Sequence, residues 1–169
     1  MNWIGAILLI TATSLIGFEY AERLKQRPKQ ILQLKVALQI MESEIIYSYT
    51  TIGQICLKIA EQSPKPCNYF FASIGRQLSY HDNLSTLWNS ELIKLKNCSA
   101  LKQQEIDILK QFGYTLGTFD AKEQRKQTQL ACVHLDRLFQ EAQVDHLKLG
   151  KVYQGIGLLS GILMTLVLM

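Results

Sequence analysis

Apolar residues follow two different patterns along this chain. Trp3 to Phe18 and Val152 to Met169 are almost wholly apolar, and every charged side chain lies between Glu19 and Lys151. Between those caps the apolar positions recur at helical spacing. Ile31, Leu34, Leu38, Met41 and Ile45 are separated by 3, 4, 3 and 4 residues, which places them on one helix face. Leu24 and Ile52 extend this seam, and Ala37, Ile40 and Tyr47 widen it. So short a seam, with a second flank, predicts antiparallel packing within the chain rather than a free-standing dimeric coil. Pro28 suits the first turn of the helix that carries the seam.

Further helices follow. One is predicted over 52–62, ended by Ser63-Pro-Lys-Pro66, and another over 68–80, with Phe70, Ile74 and Leu78 on one face. His81-Asp-Asn83 reads as a turn. A helix over 85–97 carries Leu87, Trp88, Leu92 and Leu95. The next has Leu101, Ile108, Phe112 and Leu116 as its stripe and stops at Gly117. Asp120-Ala-Lys-Glu123 reads as a cap with a first-turn acid. It opens a last helix whose apolar side is marked by Leu130, Val133, Leu138, Ala142, Asp145 and Leu149. No proline separates that helix from the second cap, and Gly150, Gly155 and Gly157 are the positions where it can kink. The fold class predicted is all-α.

Eighteen helical residues span about 27 Å, close to a hydrocarbon core of about 30 Å. Only a helix satisfies its own backbone there, so both caps are predicted as transmembrane helices. The expected organisation is a membrane helix over 1–19, a helical domain over 20–151 and a second membrane helix over 152–169. The first cap has no basic residue before it and no small-residue site at its end, which argues for a retained anchor over a cleaved signal. Lys and Arg cluster on the inner sides of both caps: Arg23, Lys25, Arg27, Lys29 and Lys35 after the first, and Arg137, Lys148 and Lys151 before the second. Both helices therefore predict a cytoplasmic middle domain with the termini across the membrane. Gly157-Leu-Leu-Ser-Gly161 has small residues four apart, which allow close helix approach in lipid, and Thr13 and Gly17 offer a weaker face on the first cap. The partner of that face is left open between the chain's own first helix, a second copy and another protein.

Composition adds exclusions. The 18 basic and 14 acidic residues are interleaved, without the basic stripe a nucleic-acid partner requires. Cys56, Cys67, Cys98 and Cys132 form no C-x-x-C pair, and His81, His134 and His146 are scattered, so no metal or cofactor site is expected. No nucleophile or phosphate-loop motif is present, and an enzyme is not expected. Glu44, on the flank of the seam, is either a carboxylate for a basic interface partner or one that snorkels to solvent.

Taken together, Gly17-Phe18, Ala21, Leu24, Arg27-Pro28, Leu34, Ala37-Leu38, Glu42, Glu44-Ile45 and Tyr47 resemble the N-terminal signature of the stage III sporulation protein AB family. Leu116-Gly117, Asp120, Gln124, Leu130, Glu141-Ala142 and Lys151 to Leu158 are similar to its C-terminal half. Thr50-Thr51 departs from the expected Thr-Pro start of the second helix. The resemblance implies a subunit of a membrane complex that links mother cell and forespore, located in the mother-cell membrane around the forespore. It also implies a soluble region similar to the platform protein of type II secretion and type IV pilus systems, which couples a secretion ATPase to the membrane assembly. No catalytic or metal residues come with that role. The candidate interface consists of the matching positions Arg27, Pro28, Glu42, Glu44, Tyr47 and Asp120. Expected partners are the ATPase, other subunits, the lipid bilayer and a second copy. The rival expectation is a pore-lining or transporter subunit, for which the caps offer only polar residues such as Thr11, Ser14, Ser160 and Thr165.

Overall fold

The computed structural model describes the backbone of residues 2–47, 50–78, 80, 83–117 and 121–168. Within those ranges it describes the side chains apart from 2–10, 14, 46, 121, 150, 151, 153–158 and 160–168. The described residues form six α-helices and no strand: α1 Asn2–Tyr47, α2 Ile52–Gln62, α3 Cys67–Gln77, α4 Leu84–Cys98, α5 Gln103–Thr115 and α6 Ala121–Leu168. The fold is all-α, as the periodicity predicts. The apolar caps lie within α1 and α6, with most of their side chains outside the described residues. Among the described residues no helix is long and apolar enough to cross a membrane.

Local chemistry sets the helix boundaries. Thr51 caps α2 by accepting the Gln54 amide, so the helix begins without the Thr-Pro start expected from the resemblance. Asn83 caps α4 by accepting the Thr86 amide at 3.1 Å. The Lys102 amide, at the start of α5, donates to Glu105 at 2.7 Å, the return half of a capping box. Gly117, with φ of 76°, takes the left-handed conformation that ends α5. Pro28 corrects its expectation, because it lies inside α1 rather than in a first turn. The apolar run before it is already helical, so no helix begins there, and α1 continues past one missing amide donor.

The chain divides into two compact units, Met1–Pro28 with Gln140–Met169, and Lys29–Phe139. In the second unit, Ile31, Leu34, Leu38 and Met41 are fully buried, as the seam requires, whereas Ile45 is only half-buried and Tyr47 is exposed. The centre of this core is aromatic. Trp88 packs edge-on to Phe70 at 4.9 Å and tilts against Phe112 at 5.9 Å, and its Nε1–H donates to the Leu109 carbonyl at 2.8 Å. Two stripes differ from expectation. On α5 the buried positions are Ile106, Leu109 and Phe112, while Ile108 is half-buried. On α6 they are Ala131, Cys132, Leu135, Leu138 and Ala142, while Leu130, Val133 and Leu149 are exposed. Leu138 and Ala142 keep the side expected of them, and the core face of α6 is otherwise turned one flank toward Ala131, Cys132 and Leu135.

Burial also governs the thiols. It pushes Cys56 up to about 12, and Cys67 likewise, with the nearby Cys98 adding to the second shift. An unfolded thiol releases its proton near pH 9, whereas these two keep theirs in the folded state. The stabilisation is therefore whole below about pH 9 and is lost as pH rises toward 12. Between pH 7.5 and 10 the denaturant midpoint should fall by the equivalent of about 2–3 kcal/mol, roughly 1.4 kcal/mol per thiol. The loss should be about halved in Cys56→Ala measured against its own pH 7.5 value.

Candidate interaction surface

Polar bridges fix how α1 and α6 pair in the unit 29–139. Lys35 Nζ meets Asp136 Oδ1, and Glu42 accepts from Arg125 Nε and Gln129 Nε2, both at 3.3 Å. Seven residues forward along α1, from Lys35 to Glu42, correspond to seven back along α6, from Asp136 to Gln129. That is the register of an antiparallel helix pair with a heptad repeat. Lys58 of α2 closes on Glu44 at 2.6 Å, so the last turns of α1 are tied to two helices. These charges lie near the surface and each contributes under about 1 kcal/mol; what they supply is register. Nearer the middle of α1, Gln30 accepts the Ala100 amide at 2.8 Å, holding the α4–α5 turn.

Glu42, Glu44 and Tyr47 share the last two turns of α1, and Tyr47 is 81% exposed with its ring turned to solvent. Arg27 and Pro28, both buried, belong to the other unit. Arg27, only 3% exposed, reaches Asp145 at 3.4 Å, which makes it an internal tie between α1 and α6. Arg23 pairs with Glu19 and Lys25 with Glu22 along the same helix, so much of the basic run is matched locally. Gly17 is buried and Thr13 half-buried. Asp120 lies outside the described residues, as does the packing around Gly157 and Gly161. The pairing of Gln30, Lys35, Arg125, Gln129 and Asp136 is not legible in the sequence, because no local spacing marks partners 70 to 101 positions apart.

The chemistry offered is contact chemistry. Cys132, beside the Lys35 carbonyl, has its thiol raised by burial and then by the charge of Glu42, against a smaller opposing pull from Lys35. It is held as the neutral, weakly nucleophilic form. No group of three or more His, Cys, Asp and Glu side chains among the described residues is arranged to hold a metal ion.

Fold and surface together define an all-helical protein in which described ion pairs join α1 to α6 and α2. The sequence profile of stage III sporulation protein AB matches residues 2–169, and the chain belongs to that family. It is 37% identical to stage III sporulation protein AB of Bacillus subtilis (strain 168) over 170 residues, covering 100% of this chain and 99% of that protein. A solved structure of stage III sporulation protein AB, 37% identical, superposes with a TM-score of 0.67 over 71% of this chain and 95% of its own. The chain is thus a subunit of a sporulation complex.

Proposed function

We propose that this subunit is a platform seated in the mother-cell membrane around the forespore, coupling a secretion-type ATPase to the membrane channel. The observation that carries the reading is that Met1–Pro28 and Gln140–Met169 form one compact unit, tied by Arg27 to Asp145. Two uncharged ends gathered in one unit suit insertion into one bilayer from one side. The helix-only core of 29–139, with Tyr47 exposed beside Glu42 and Glu44, suits a cytoplasmic docking domain. The glycine pair Gly157 and Gly161 would pack a second membrane helix, from this chain or another copy.

Co-purification tests the proposal. The detergent-solubilised chain should bring down the ATPase and other complex subunits, and recovery alone in several detergents would overturn it. Tyr47→Ala should lower ATPase recovery about tenfold, the effect of losing an exposed aromatic anchor worth about 1.4 kcal/mol. An unchanged yield would remove Tyr47 from the docking face.

A further inference from the structure

The outer side of the α1–α6 pair carries apolar residues that the core does not use. Leu32 and Val36 on α1 are 44% and 45% exposed, and Leu130 and Val133 on α6 are 46% and 66% exposed. Val36 follows Lys35, and Val133 lies three residues before Asp136, so both border the Lys35–Asp136 bridge. Leu32 and Leu130 each lie about one helical turn further out, in opposite directions along the pair. In the register set by the bridges, the four form one diagonal strip about 14 Å long, the length of two to three helical turns. Exposed apolar residues scattered singly need no explanation, but a strip spanning two helices is a candidate contact surface.

Charge selects the occupant. Beyond Leu130, toward the start of α6, Lys122, Glu123, Arg125, Lys126 and Gln129 line an open stretch of surface. Arg125 is engaged with Glu42, and Lys126 lies 3.9 Å from Glu123, which also accepts from Gln127. Lys122 is exposed at this end, and Lys29, also exposed, stands one turn before Leu32 at the other. Each end therefore presents an exposed lysine. A second copy laid on this face by a two-fold axis would set Lys122 and Lys126 against Lys29 or against themselves, which like-charge repulsion disfavours.

We propose that this face receives an amphipathic helix of another protein, with an apolar stripe over Leu32, Val36, Val133 and Leu130 and acidic residues toward Lys122 and Lys126. It deepens the platform reading by naming a second docking surface and the chemistry of its partner, and it rests on that reading.

The test uses the full chain in sporulating cells with the photoreactive residue p-benzoylphenylalanine placed at Val36, Val133 or, separately, Tyr47. Adducts from positions 36 and 133 should map to one acidic amphipathic helix of a different polypeptide. Lys122→Glu combined with Lys126→Glu should cut their yield about fivefold, as expected for loss of complementary charge, while Lys110→Glu on α5 leaves it unchanged. Adducts to a second copy, to lipid only, or none at all overturn the inference. Capture of the ATPase from position 47 with silence at 36 and 133 would overturn this surface alone, whereas silence at all three positions would count against the platform reading too.

Discussion

Trp88→Ala should destabilise the unit 29–139 by about 4 kcal/mol, a large fraction of a typical domain's stability. The indole is fully buried and packs against Phe70, Phe71 and Phe112. Removing it leaves a cavity that three rings anchored on other helix positions cannot fill. Its Nε1–H bond to the Leu109 carbonyl fixes the ring's orientation, and Gly113 exists to accept that orientation. A Cβ added at Gly113 would clash with the Trp88 indole at Cδ1, so Gly113→Ala should cost about 2–3 kcal/mol despite alanine's better helix propensity. The pairing gives a sharp check by chemical denaturation. Gly113→Ala made in a Trp88→Ala background should be nearly neutral, because the clash partner is gone, while additive losses would show that the two do not press on each other.

The second large effect concerns Arg27. Its side chain is only 4% exposed and faces Asp145, which is 36% exposed. Breaking a fully buried pair costs about 3–5 kcal/mol; with Asp145 partly in water, Arg27→Ala should cost about 2–3 kcal/mol in the unit that holds both termini. Arg27→Glu should cost more, because it adds like charge at the same spot. The swap Arg27→Asp with Asp145→Arg should recover over half of the loss. Thermal unfolding of the detergent-solubilised chain reads all three, and equal losses in Arg27→Ala and the swap would show that the pairing contributes nothing beyond packing.

Much of the fold was legible because short helices in a bundle must show their core face. Ile31, Leu34, Leu38 and Met41, and likewise Leu87, Trp88, Leu92 and Leu95, point the way their spacing says. Alpha2 matches its predicted range, and the glycine stop at Gly117 ends α5 as expected. The last helix was harder for a physical reason. It bears two apolar stripes, and periodicity alone does not say which one meets the core. Leu130 and Val133 lie outside, while Ala131, Cys132, Leu135, Leu138 and Ala142 pack inward, so the expected side is right at Leu138 and Ala142 and one flank off at Leu130 and Val133. Pro28 lies mid-helix because the apolar run before it is already helical, so proline's preference for a first turn does not set a boundary there. The site was less legible still. Glu42 stands out only through the resemblance, and its donors Arg125 and Gln129 come from the far end of the chain. Arg27, read as a surface cation after a membrane helix, is instead turned inward onto Asp145.

Whether both uncharged ends sit in one bilayer with the middle domain in the cytoplasm is decided most directly by protease protection on inverted membrane vesicles containing the full chain. Trypsin added outside should degrade the Lys- and Arg-containing middle and leave two short terminal fragments that resist alkaline carbonate extraction. A middle domain protected until the vesicles are lysed, or an intact chain washed off by carbonate, would contradict the platform.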